Sequence, residues 1–198
     1  MYNLIDTNIW KPVDDYIPLK NEKLNIVVAA SHQYLKNAKG LILALNLLSE
    51  ENKKKITVNW YGSQSPDNSF IESRTLIEQY NLTDIITFHK ATNSITDKMQ
   101  YADVIGLFSF YEGLPNVICE AMMLGKPVIS SSVSDIPAIL SSDFIFNPHD
   151  TKDIAKSLSL LLSFPISKFI EIGKNNRKTA LSLFDKSIIM SEYLNLLK

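Results

Sequence analysis

The sequence predicts an α/β fold, a parallel sheet of six strands with helices on both faces. Short apolar runs of strand length alternate with helix-period segments from residue 24 onward. Strands that alternate with helices imply right-handed crossovers and parallel pairing. No internal repeat, low-complexity tract or Gly/Ser linker interrupts residues 24–164, so the alternation belongs to one unit.

Leu24 to Ala30 is the first buried-strand candidate, and the segment after it places Ala38, Leu41, Ile42, Leu45 and Leu48 on one helical face. Ile56 to Tyr61 is the second strand, closed by Gly62, and Ser69 to Tyr80 the next helix. Asp84 to Phe88 forms a third strand, followed by a short helix from Ser94, a plausible N-cap, to Tyr101. Ala102 to Phe108 is the fourth strand, leading into a helix from Pro115 to Leu124. Pro127 to Ser131 and Asp143 to Phe146 complete the six. Helical patterns then cover Asp150 to Ser163, Ile166 to Phe184 and Asp185 to Leu197. Pro12 and Pro18 break up any regular element before residue 23.

The most informative stretch is LFSFYEGLPNVICEAMMLGKPVISSS, Leu107 to Ser132, in which seven residues separate Glu112 from Glu120. An apolar strand, a tight turn through Gly113, Leu114, Pro115 and Asn116, and a helix start follow one another here. The first helical amides lack intrahelical partners and sit at the positive end of the helix dipole, which suits an anion. Two carboxylates beside such a turn would repel a bare phosphate but would accept hydrogen bonds from hydroxyl groups. Amides for phosphate and carboxylates for hydroxyls together describe a site for a nucleotide-sugar. In α/β sheets such ligands sit at the carboxyl ends of strands, where Glu112 falls.

Glu112 to Met122, with Gly125-Lys126-Pro127-Val128-Ile129 after it, resembles the E-x7-E signature of retaining glycosyltransferases of family 4. Those enzymes carry two Rossmann-like domains in the architecture called GT-B. Almost the whole chain can be read against the second domain. Asn3-Leu4-Ile5-Asp6-Thr7 with Lys11-Pro12 resembles the passage between the domains. The resemblance therefore implies a hinge or extension over residues 1–22 and a C-terminal nucleotide-sugar-binding domain over 23–198, with terminal helices from about 166. It implies the donor-binding half of an enzyme that moves a sugar from a nucleoside-diphosphate sugar to a glycan, lipid or small-molecule acceptor. The acceptor, and any membrane contact, would involve the first domain, and this half alone would be inactive.

Carried onto this sequence, the resemblance gives Glu112 the hydroxyls of the donor sugar and Glu120 the ribose hydroxyls. Amide contacts would come from Gly113, Leu114, Asn116 and Val117, with Gly113 permitting a strained turn and close ligand approach. A lysine in the loop after the first strand neutralises the leaving diphosphate in the family; Lys36 is favoured here, and Lys39 remains a competitor. Ser31 stands where the family usually has arginine and offers one neutral hydrogen bond in its place. His89-Lys90 occupies the loop that holds the nucleobase in members of that family. Ser134-Asp135-Ile136-Pro137-Ala138 replaces a common Gly-Gly/Asp-Ile-Pro-Glu. No metal or other cofactor is implied. The open alternatives are a non-catalytic nucleotide-sugar-binding or scaffolding module, and a GT-B-fold epimerase or phosphorylase.

Composition narrows the classes further. A net charge of −1 with 21% charged residues supplies no basic field for nucleic acid. The single Cys119 excludes an intrachain disulfide framework and fits a reducing compartment. No apolar run is long enough to span a bilayer, and MYNLIDTNIW lacks the basic-then-apolar order of a signal peptide. A cytoplasmic location is expected, peripheral at the inner face of a membrane at most. His32, His89 and His149 each follow a strand, yet no spacing among them suggests a metal.

Overall fold

The computed structural model describes residues 4–13, 16, 18, 23–140, 143–186 and 189–190. Its strands are β1 (Leu24–Ala29), β2 (Ile56–Tyr61), β3 (Ile86–His89), β4 (Val104–Leu107), β5 (Val128–Ser131) and β6 (Ile145–Phe146). They form one sheet in the order β3-β2-β1-β4-β5-β6, with every pairing parallel. Leu24 lies opposite Ile56, and Ile26 opposite Val104, so β1 is bonded on both sides. The chain runs outward from β1 to β3 and then returns to place β4 against the other side of β1. That reversal makes the gap between β1 and β4 the topological switch point, where the loops from the two strands diverge and leave a crevice.

The helices are α1 (Ala38–Leu47), α2 (Glu50–Lys54), α3 (Ser69–Gln79), α4 (Ile95–Gln100), α5 (Asn116–Met123), α6 (Ile136–Ile139), α7 (Thr151–Ser163) and α8 (Ile166–Leu183). On one face of the sheet, α1 packs against α3 and α7; on the other, α5 packs against α8. Each face has its own core. Leu41, Leu45, Trp60 and Leu158 belong to the first, Ile105, Ile118, Met122 and Phe184 to the second. β4 and β5 are buried along their whole length, which explains the unbroken apolar reading of β4, while β5 buries Ser130 and Ser131 after Val128 and Ile129. Burying each large aliphatic side chain contributes about 1.5–3 kcal/mol.

Local chemistry fixes the helix ends. Asp150 caps α7 by accepting from the amides of Lys152 at 2.9 Å and Asp153 at 3.3 Å, a contribution of about 1 kcal/mol. Ser94 holds the cap position of α4 without a side-chain cap bond. After α5, Gly125 turns into the left-handed region at φ 69°, its amide reaching Met122 O and that of Lys126 reaching Ala121 O. α8 then crosses so closely that a Cβ at Gly173 would lie 2.1 Å from the Gly125 carbonyl oxygen.

Two short helices were not foreshadowed by the sequence pattern. α2 buries none of its residues and is held by the Ser49 cap, acidic residues at its start and lysines at its end. It therefore has no apolar face to read. α6 is a single turn and falls below the length at which period can be recognised. β6 is two residues where four were expected, because Phe144 precedes its parallel pairing. Of the helix expected from Asp185 to Leu197, residues 187, 188 and 191–198 lie outside the described residues, as do Asn3 and residues 1, 2, 14, 15, 17 and 19–22 of the proposed hinge.

The described part of the N-terminal segment follows α8 and the amino edge of the sheet. The Ile5 amide donates to Phe184 O at 3.1 Å, and Gln100 Nε2 donates to Lys11 O at 3.0 Å. The Tyr16 hydroxyl donates to Asp103, while the Lys126 ammonium sits 3.2 Å from the centre of the Tyr16 ring and donates to Ala102 O at 2.9 Å. Burial pulls the Lys126 ammonium down to about 7, partly offset by the Asp103 charge. This polar knot precedes β4 and β5, at the edge opposite the crevice.

Candidate functional site

The loop after β1 is shaped before it is functional. Asn37 adopts left-handed backbone at φ 58°, a conformation that asparagine tolerates better than most side chains. Its buried side chain accepts from the Gly40 amide at 3.0 Å and donates to Phe108 O at 3.1 Å and Pro148 O at 3.0 Å. One residue thus caps α1 and ties the β1, β4 and β6 loops together. Gly40 must be glycine for this, since a Cβ there would lie 2.4 Å from Asn37 Oδ1. A second strap, from the Phe110 amide to Leu35 O at 2.9 Å, brings the β4 loop against the single 3₁₀ turn Tyr34–Lys36.

These straps place Lys36 across the switch point from Glu112. Lys36 Nζ lies 2.6 Å from Glu112 Oε1, and the buried Ser109 hydroxyl donates to the same oxygen at 2.6 Å. Among the described residues Oε2 has no partner, so half of the carboxylate is fixed and half remains able to accept. Lys39 is exposed and lines a different cavity, on the α1–α3–α7 side. Geometry therefore separates the two lysines. Asn37 and Ser109 were not singled out from the sequence as site residues; the signal for each is its offset, one after Lys36 and three before Glu112.

The turn itself departs from expectation in two respects. Pro115 is extended at the cap position, and α5 starts at Asn116, one residue later than expected. Gly113 does not adopt a positive φ, so no strained turn is present. Beyond its chain neighbours, no heavy atom lies within 4 Å of the position a Cβ would take there, so the space beside it is open. Leu114 and Val117 pack their side chains onto the second core.

Glu120 sits in α5 and is half-buried. Burial pushes its carboxyl up to about 7, and no cation pairs with it among the described residues. Beside it the buried Cys119 thiol is pushed up to about 12 and is unreactive near neutral pH. Ser31 accepts from Gln33 Nε2 at 2.6 Å. Lys90 is exposed and lines a cavity of about 600 Å³ with His32, Phe70, Phe88 and His89, beyond the end of β3. Its lining comes from the loops after β1, β2 and β3, since His32, Gly62 and Lys90 all contribute.

His32 and His89 share one cavity, and His149 lines another. His32 is buried among Trp60, Phe70 and Phe88; burial lowers its basicity, partly offset by the His89 carbonyl. His89 stacks on Tyr61, and His149 on Phe110. Among the described residues no group of three or more His, Cys, Asp or Glu is placed to hold a metal ion, and no helix is long and apolar enough to cross a membrane.

A fixed cation, a half-free carboxylate and a second, desolvated carboxylate on the next helix can bind a ligand that carries both phosphate and hydroxyl groups. Comparison with known proteins agrees. The profile of glycosyl transferases group 1 matches residues 14–179. WcaL of Escherichia coli, provisionally named a colanic acid biosynthesis glycosyltransferase, is 29% identical over 136 residues, which are 63% of this chain and 34% of WcaL. The MMP α-(1→4)-mannosyltransferase of Mycolicibacterium hassiacum is 22% identical over 189 residues, 91% of this chain and 43% of that enzyme. The chain thus spans less than half the length of these curated relatives.

Among solved structures, HepE of Anabaena in complex with UDP-glucose superposes with a TM-score of 0.85 at 20% identity, over 100% of this chain and 56% of HepE. The C-terminal domain of LpcC, a group 1 glycosyl transferase family protein of Francisella tularensis, superposes with a TM-score of 0.78 at 21% identity, over 92% of this chain and 99% of that domain. The chain belongs to the glycosyl transferases group 1, and its fold is that of the C-terminal half of a GT-B glycosyltransferase.

Proposed function

We propose that this chain is the donor-binding half of a retaining glycosyltransferase that takes a sugar from a nucleoside-diphosphate sugar. The observation that carries the reading is the Lys36–Glu112 pair at 2.6 Å across the switch point, at the foot of the α5 N-terminus. In the free site Lys36 neutralises Glu112. An arriving diphosphate takes the ammonium as its counter-ion and frees the carboxylate for sugar hydroxyls, so one exchange serves both parts of the donor. A preorganised cation at the leaving diphosphate is worth several kcal/mol in comparable sites. Glu112 orients and stabilises in this scheme, and no glycosyl-enzyme forms on it. Glu120 holds the ribose hydroxyls, the amides of the 113–117 turn approach the phosphates, and the cavity beside Lys90 takes the base.

The acceptor is held with a further domain, as the half-length coverage of the relatives supports, and the chain works in the cytoplasm. Calorimetry with UDP, GDP, ADP and UDP-glucose tests the donor reading. Dissociation constants in the micromolar to millimolar range are expected for half a cleft. Glu120→Ala weakens free nucleotide and sugar ester alike, whereas Glu112→Ala weakens only the sugar ester. Absence of heat for every nucleotide at millimolar concentration refutes the assignment.

A further inference from the structure

A second cavity lies behind the 34–37 turn and is not used by the donor reading. It measures about 310 Å³ and opens between the starts of α1, α3 and α7. That volume is at the lower end of small-ligand sites, roughly 300–1,000 Å³. One wall is aromatic. Tyr34, 68% exposed, lies 5.3 Å from Phe110 between ring centres, and Phe110 stacks on His149 at 4.8 Å with the planes 15° apart. The facing walls carry Gln33, Lys39 and Glu72. We propose that this cavity binds one unit of a neutral oligosaccharide, separately from the donor.

The chemistry decides between ligand classes. Three helix starts in one place would ordinarily favour an anion, but at each of them a side chain already accepts from one of the first amides. Asn37 accepts from Gly40 N at 3.0 Å, Asp67 from Ser69 N at 3.2 Å, and Asp150 from Lys152 N at 2.9 Å. The capping Asp67 and Asp150 and the lining Glu72 add negative charge around the cavity, so phosphate gains little. A purely apolar ligand would strand the polar half of the lining. A pyranose satisfies both halves. Its C–H face covers an aromatic ring, and its hydroxyls donate to Glu72 and exchange hydrogen bonds with Gln33 and Lys39. Phe110 stands two residues before Glu112 and is strapped to Leu35, so the bound unit lies back to back with the Lys36–Glu112 pair. This places part of a glycan chain beside the transfer site without occupying it.

Amide and aromatic NMR of the 198-residue chain tests this with maltotriose, mannotriose and N,N′,N″-triacetylchitotriose as probes. At least one trisaccharide is expected to shift the resonances of Tyr34, Phe110 and His149 with a dissociation constant on the order of 1 mM. Tyr34→Ala should weaken that binding about fivefold, leaving the melting curve and the UDP response unchanged. The proposal fails if no probe shifts these residues at roughly ten times that concentration. It also fails if inorganic phosphate alone shifts them, if UDP displaces the sugar, or if binding survives intact in both Tyr34→Ala and Glu72→Ala. A chain that binds no nucleotide can still pass, so the two assignments fail independently.

Discussion

Replacing Glu120 by glutamine should stabilise the ligand-free chain while weakening nucleotide binding. The side chain is half-buried in α5, and burial alone lifts its carboxyl from the ordinary 4.5 to about 7. Such a displacement corresponds to about 3 kcal/mol of preference for the neutral form. Solvent still reaches part of the group, and screening reduces the effect to about 1–2 kcal/mol. The sign follows from proton linkage: between the unfolded and folded values the native state binds more protons, so stability falls as pH rises. The penalty is absent below about pH 4.5, grows toward pH 7 and is constant above it. Glutamine carries no charge to desolvate. Thermal melts of both proteins across pH 5–9 should therefore coincide near the acid end and separate by about 3–6 °C at the alkaline end, the variant melting higher. Calorimetry on the same samples should show weaker UDP binding for the variant. A gap independent of pH, or a variant less stable at about pH 8, would refute the desolvation argument.

Ser31→Arg should raise UDP affinity about tenfold by calorimetry, because a bidentate guanidinium adds charge-assisted hydrogen bonds that the serine hydroxyl cannot. Ser134 occupies left-handed backbone at φ 51°, so Ser134→Gly should raise stability by about 1 kcal/mol in denaturant melts. Residues 1–198 alone should show no sugar transfer to glycan or lipid acceptors in a nucleotide-sugar assay. Holding donor and acceptor together accounts for about 7–11 kcal/mol of a barrier, and a GT-B enzyme obtains that by closing two domains. Robust turnover by this chain would overturn the interdomain mechanism.

The strands were legible because parallel strands covered on both faces leave apolar runs, as in β4 and in residues 26–29 of β1. α1 and α7 were legible because each presents a buried stripe to the sheet. α2 escaped because it buries nothing, and its stability comes from a cap and terminal charges. The turn at Glu112 could be read from local order alone: strand, glycine, proline, helix. The strained backbone expected at Gly113 is not there: its φ is not positive, and the space beside it is open.

The partner of Glu112 is a different kind of information. Glu112 lies 76 positions after Lys36, and Lys39 is chemically equivalent in the sequence. What distinguishes the two lysines is Asn37, whose left-handed backbone ends the 3₁₀ turn and starts α1 between them. Lys36 is thereby left on the turn facing the crevice, and Lys39 is carried one residue into the helix start toward the other cavity. Which lysine meets Glu112 thus rests on the backbone of a single asparagine, held by carbonyls from two loops distant in sequence. Those carbonyls come from the ends of β4 and β6, strands that lie beside β1 and at the sheet edge only because the chain reverses direction at the switch point. Local pattern supplies the parts of this site, and strand order decides which of them meet.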